Sequence, residues 1–95
     1  RAYFGLTVPG FPNMLIMYGP NTNTGGGSIV HFLETQARYV RAFVDHVAAT
    51  SAAWEIKPEI EAGFDTETQS RLAGSVWARC SSWYRSDSGR ITANW

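Results

Sequence analysis

The sequence predicts an α/β arrangement of one buried strand, a long helix, a second helix and a terminal β-hairpin. Three observations carry it. A continuous apolar run, Met14 to Tyr18, is bounded by turn residues. A long amphipathic pattern starts at Ser28. Near the end, two strand-like stretches flank Ser86-Asp87-Ser88-Gly89.

Taken in order, residues 1–12 carry Gly5, Pro9, Gly10 and Pro12 among apolar neighbours, which predicts a structured loop. "MLIMY", Met14 to Tyr18, fits a strand buried on both faces, as in a parallel sheet. Gly19-Pro20 ends it, because proline supplies no ladder donor. Ser28 is the N-cap of the next element, its hydroxyl accepting from a free first-turn amide. Val30, Leu33, Ala37, Val40, Val44 and Val47 fall on one stripe, widened by Ile29, Phe32 and Phe43. This predicts a largely buried helix over residues 28–49. "TSAAWEIKPE" is a link with a short strand at Trp54–Lys57. Pro58 opens a second helix. Ile60, Phe64, Thr68 and Leu72 lie four apart along it, and Gly74 stops it. Gly63 weakens it by about 1 kcal/mol relative to Ala. "SVWARCSSWYR" and "RITANW" then flank the four-residue turn, giving a hairpin at about residues 75–95.

Ninety-five residues make at most one small domain, and 44% hydrophobic with 14% aromatic residues is too rich for disorder. Lys plus Arg equals Asp plus Glu at 8 each, for a net charge of 0. That balance argues against nucleic acid or an anionic membrane as partner. It also does little to oppose self-association. Cys80 is the only cysteine, so neither an intramolecular disulfide nor a paired-cysteine zinc site exists. This usage fits a reducing, cytoplasmic compartment, and a buried structural thiol is expected. No apolar run reaches the length of a membrane span. His31 and His46 are too far apart for a helical metal pair. Ser28, His31 and Asp45 come without a nucleophile elbow. No metal ligand or catalytic residue is assigned. The start, "RAYFGLTVPG", and the end, "ITANW", read as the ends of a piece of something longer.

The strand–glycine–helix unit is the chemical candidate. Gly25, Gly26 and Gly27 precede a helix whose first amides are unpaired and carry about half a positive charge. Such a geometry suits a phosphate, an oxyanion or an electron-rich ring edge. Neither G-x-G-x-x-G nor G-x-x-x-x-G-K-[ST] is present. From these residues alone two readings stay open: close approach of a ligand, or a flexible link that lets the helix pack.

A resemblance bears on that choice. "YFGLTVPGFPNMLIMYGPNTNTGGGSI", "LETQARYV" and "VWARCSSWYRSDSGRITANW" resemble the C-terminal part of flavin-dependent monooxygenases of the Baeyer–Villiger type, especially their acetophenone-monooxygenase-like branch. The likeness runs from Tyr3 to Trp95. It rests on P-G-F-P-N, G-P-N-T, E-T-Q and C-x-S-W-Y in that order. It implies a C-terminal fragment of a flavoprotein with two dinucleotide-binding domains, using FAD and NADPH. Residues 1–95 would be a partial domain, the end of the FAD-binding domain. Met14–Tyr18 would be the last strand of its sheet. The helix from Ser28 would aim at the pyrimidine edge of the isoalloxazine ring. Gly19, Pro20, Asn21 and Thr22 would line that edge together with Gly27, Ser28 and Ile29, mostly through backbone atoms. Trp83 would pack on the nicotinamide half or gate solvent, against the plainer reading of hairpin packing.

The family's glycine-rich fingerprints and its catalytic arginine lie upstream of such a segment. The resemblance therefore implies a piece that completes the flavin site and is not catalytic alone. The parent would insert one oxygen of O2 into a ketone or a soft heteroatom. The partners expected are the rest of the parent enzyme and a small organic substrate, and the isolated segment is expected to self-associate. The alternative is a stand-alone, non-catalytic interaction module derived from such an enzyme.

Overall fold

Helices form where the periodicity places them. The computed structural model describes all 95 residues, with α1 over Ile29–Thr50, α2 over Pro58–Ala73 and a 3-10 turn over Val76–Arg79. Ser28 caps α1, its Oγ accepting from the His31 N–H at 3.3 Å. Ser51 ends α1 in the left-handed conformation and donates its N–H to the Val47 carbonyl. In α2, Glu59 and Glu61 sit in the first turn and Arg71 in the last, each suited to the helix dipole.

The buried faces differ from the expected ones. In α1 only Gln36 is buried. The inward row runs through Phe32, Leu33, Gln36, Val40, Phe43 and Val47, while Val30 is 63% exposed and Val44 52% exposed. The largely buried helix is therefore corrected to a helix covered along one narrow strip. The reason is that no second layer faces it: α1 makes no close backbone contact with α2. In α2 the buried residues are Glu61, Asp65, Thr68 and Leu72, whereas Ile60 is exposed. Charge decides this orientation. Arg90 forks onto the Asp65 carboxylate, with Nη1 2.9 Å from Oδ2 and Nη2 bonded to Oδ1. Arg1 adds contacts to Glu61 Oε1 at 3.1 Å and Asp65 Oδ2 at 3.5 Å. The Glu61 contact lacks hydrogen-bond alignment and is Coulombic.

The strand expected at Met14–Tyr18 does not form. Bridges occur singly, between Tyr3 and Thr7, Asn23 and Asn94, and Arg85 and Ile91. A doubly buried strand needs a neighbour on each side. Here the Ile16 N–H donates to the Leu6 carbonyl at 2.8 Å, and Tyr18 turns left-handed at φ 56. Met14, Met17 and Tyr18 remain exposed. The short strand at 54–57 is likewise absent. Asn13 and Trp54 exchange two hydrogen bonds of 2.9 Å, and no ladder continues from them.

The terminal hairpin shrinks to residues 84–92. Its turn forms as expected: the Ser86 N–H donates to the Arg90 carbonyl at 2.9 Å, and the Thr92 N–H to the Tyr84 carbonyl at 2.8 Å. The expected first arm instead contains the 3-10 turn, with Ser75 capping the Trp77 N–H. Cys80 follows that turn and is exposed, correcting the buried thiol. Beyond Ile91 the chain leaves the hairpin and runs parallel to residues 21–23.

Leu72, Tyr84 and Ile91 form the core, backed by Trp77, Ala78 and Ala93. Only 14 of 95 residues are buried, and eight of these are polar or charged. The radius of gyration is 14.6 Å, against about 12 Å for a compact chain of this length. An extended, half-covered shape follows. No helix is long and apolar enough to cross a membrane.

Candidate functional site

The glycines around residues 19–28 differ in what surrounds them. A Cβ on Gly19 would lie 2.4 Å from the Gly5 carbonyl oxygen. One on Gly5 would lie 2.9 Å from the Pro20 oxygen, and Gly5 also has φ +66. Two backbones thus touch at Gly5 and Gly19, and only glycine fits there. In the glycine run, a Cβ on Gly25 would strike the Trp77 ring at 2.5 Å, whereas Gly26 and Gly27 have nothing within 4 Å. The first glycine makes room for an indole; the next two leave the approach to α1 open.

Residues 19–22 are held from three sides. The Tyr18 N–H, just before Gly19, donates to Gln36 Oε1 at 2.9 Å. Gln36 is the buried polar residue of α1, standing in line with Leu33 and Val40. Thr22 Oγ1 donates to the Gly19 carbonyl at 2.6 Å, closing the Gly-Pro-Asn-Thr turn on itself. The third hold is residues 91–95. Asn21 donates its N–H to the Thr92 carbonyl at 2.9 Å. Its Nδ2 donates to the Ile91 and Asn94 carbonyls at 3.0 and 2.7 Å. Asn21 has φ 55, a conformation asparagine tolerates better than most residues.

Asn21 and Thr22 are buried, while Gly27, Ser28 and Ile29 are exposed at the start of α1. A cavity of about 270 Å³ is lined by Asn21, Thr24 and Phe32 with Phe4, Phe64 and Trp95; of the expected edge residues only Asn21 lines it. Phe32 belongs to the first turn of α1. Trp83 stands apart, 75% exposed, and touches Tyr84 edge-on at 6.0 Å.

Electrostatically the start of α1 is open. Its first turn carries no acidic residue, and its cap is the single Ser28 hydroxyl. The helix end therefore keeps a positive field facing the open glycines. That fits the electron-rich edge of a flavin ring. The adenosine half of FAD has no counterpart in this chain, which lacks the glycine fingerprint such a half requires. Of the titratable groups, Asp65 and Arg90 depart from ordinary behaviour. The Arg90 hydrogen bonds hold the Asp65 carboxyl below the usual carboxylate range against the opposing effect of burial, and the same bonds raise Arg90.

Asn23, Gln69 and Asn94 were not singled out by sequence. Asn94 is 2% exposed, and its Oδ1 accepts from Asn23 Nδ2 at 2.9 Å. Gln69 exchanges hydrogen bonds with the Ile91 backbone, at 2.9 and 3.3 Å. Their signal is weak because pairing across 22 residues for Gln69, and 71 for Asn23 with Asn94, leaves no periodicity.

No protein-family model matches the chain, and no solved structure matches it. Curated proteins do. An FAD-binding monooxygenase of Aspergillus niger is 37% identical over 102 aligned residues, covering 100% of this chain and 17% of that protein. Baeyer–Villiger monooxygenases of Pseudomonas aeruginosa and Streptomyces coelicolor are 35% and 33% identical, each with 100% of this chain and 19% of the relative covered. The chain thus spans less than a fifth of the length of these relatives. Its homologues over its whole length are FAD-binding and Baeyer–Villiger monooxygenases, and it matches their C-terminal part.

Proposed function

We propose that this chain completes the flavin site of an FAD- and NADPH-dependent monooxygenase that inserts one oxygen of O2 into a ketone or a soft heteroatom, and that it has no catalysis of its own. The observation that carries this reading is the start of α1: two unobstructed glycines, a serine cap and no acidic side chain, beside a cavity shared with Asn21. The Aspergillus niger relative, FAD-binding by its description, supports the cofactor.

The flavin supplies the redox chemistry when bound. This chain's residues supply field and position. The amides at Ser28 and Ile29 favour negative charge at the ring's pyrimidine edge, as an oxyanion hole favours a developing anion. Gly19, Pro20, Asn21 and Thr22 present a rigid backbone to the same edge. Phe4, Phe32 and Phe64 keep the adjoining cavity apolar. Trp83, exposed in this chain, covers the nicotinamide half of NADPH in the full enzyme. The rest of the parent enzyme covers the exposed flank of α1, and the reaction runs in a soluble, cytoplasmic protein.

The test is Gly27→Asp in the full-length flavoprotein. Open space surrounds a Cβ there, although the positive φ of +86 strains any side chain, and the Asp carboxylate would compete for the amides of α1. The reduction potential of the bound flavin is expected to fall, because the anionic reduced form loses stabilisation. An unchanged potential in a folded, flavin-loaded variant would sink the reading.

A further inference from the structure

We propose that Asn94 is a positioning residue for the flavin edge: it fixes where residues 19–23 lie, although it lines no part of that edge itself. The inference rests on the flavin-site reading above and adds a residue to it.

Residues 91–95 are tied to residues 21–23 by an unusually complete set of polar contacts. Two backbone amides, Asn21 and Asn23, donate to the Thr92 and Ala93 carbonyls, at 2.9 and 3.0 Å, and the Trp95 N–H returns a bond of 3.0 Å to Asn23. The side-chain amide of Asn21 bridges the Ile91 and Asn94 carbonyls. The Asn94 side chain closes the set by accepting from Asn23. Asn94 is the largest fully buried side chain in the molecule. A buried amide specifies one arrangement, because a slip of one residue would strand its Oδ1 without the Asn23 donor.

Segment 91–95 is in turn fixed to α2. The Ile91 carbonyl accepts from both Asn21 and Gln69, and the neighbouring Arg90 grips Asp65. The hold from Gly5 reaches α2 by a different kind of contact, the packing of Phe4 on Phe64 at 4.9 Å, and carries no hydrogen bond from α2 to residues 19–22. Asn94 therefore sits at the hydrogen-bonded junction through which α2 and the hairpin set the position of Gly19 to Thr22. Loosening it should displace the backbone that faces the flavin without removing any group from the site.

The experiment uses the full-length, flavin-loaded protein carrying Asn94→Ala or Asn23→Ala, with Gly27→Asp as reference. Two readouts are taken: hydrogen exchange over residues 19–24, and the absorption spectrum and reduction potential of the flavin. Both asparagine variants are expected to speed exchange about tenfold, the loss of one buried hydrogen bond, and to shift the flavin spectrum and potential. Unchanged exchange in a folded variant overturns the proposal. Faster exchange with a parental flavin spectrum and potential also overturns it, and if Gly27→Asp still shifts the potential the flavin-site reading survives alone. Should Gly27→Asp leave the flavin unaffected, that reading fails and the role of Asn94 falls with it. If Asn94→Ala does not fold, Asn23→Ala decides by the same outcomes, since it removes the donor to Asn94 and otherwise only the long 3.4 Å bond from the Gly25 N–H.

Discussion

α1 and the unit formed by α2 with residues 84–95 are built on opposite principles. The α2 unit is closed by charge and hydrogen bonds around Leu72, Tyr84 and Ile91. α1 is a better-capped and longer helix, yet it is fastened mainly by Gln36 and a narrow apolar strip, and it does not reach α2. Helix quality and helix attachment are thus separate properties. A strong amphipathic pattern guarantees that a helix forms but says nothing of whether this chain supplies its cover.

The sharpest way to break the contrast is at Arg90. Arg90→Ala should destabilise the α2 unit by about 2 kcal/mol in chemical denaturation, leaving Asp65 with only the longer Arg1 contact. That is less than a deep ion pair would lose, because the Arg90 side chain is still 29% exposed. Acid should produce the same loss without mutation. The Asp65 pKa is depressed in the folded state, so its contribution is complete above the unfolded value of about 3.9 and disappears as pH falls through the folded one. Melting temperature followed downward from pH 5 should drop in the parent and drop less in the Arg90 variant.

A smaller effect is expected at the other attachment. Gln36→Ala should weaken the contact of α1 with the loop by about 1 kcal/mol, leaving the Tyr18 amide without an acceptor. Hydrogen exchange would report this as faster exchange at Tyr18 with no change in α2. Parallel loosening of α2 would show that the two regions are coupled after all. The smallest change in stability belongs to Val44→Lys, within about 0.5 kcal/mol because the side chain is exposed. Its readout is association: the isolated chain should self-associate less by sedimentation, and undiminished association would remove the α1 flank as its cause.

Both helices, the Ser28 cap and the turn at residues 86–89 were legible in the sequence, because capping, periodicity and turn chemistry are local. The central strand was not. Met14–Tyr18 has the composition of a strand, but strand formation depends on neighbours, and a run of five residues cannot report whether they exist. The α2 face misled for a related reason. Ile60 and Phe64 look like core residues until Arg90, 25 residues beyond Asp65, supplies a partner that makes burying a carboxylate favourable. Of the site, the open glycines could be anticipated. The clamp through Asn21, Asn23 and Asn94 could not, since asparagines carry no pattern until the chain has closed on itself.

That closure has a consequence for the order of events in folding. The Asn21–Asn94 contact spans 73 positions, so its closure entropy is about 4 kcal/mol before any bond repays it. On the ribosome, Gly19 to Asn23 wait for Ile91 to Trp95 to emerge before they gain the last of their partners. The α2 ion pair with Arg90 closes a far shorter loop and brings residues 91–95 to hand. The piece of chain that faces the proposed cofactor is therefore among the last to settle, and a truncation just before Arg90 would leave it held by Gly5 and Gln36 alone.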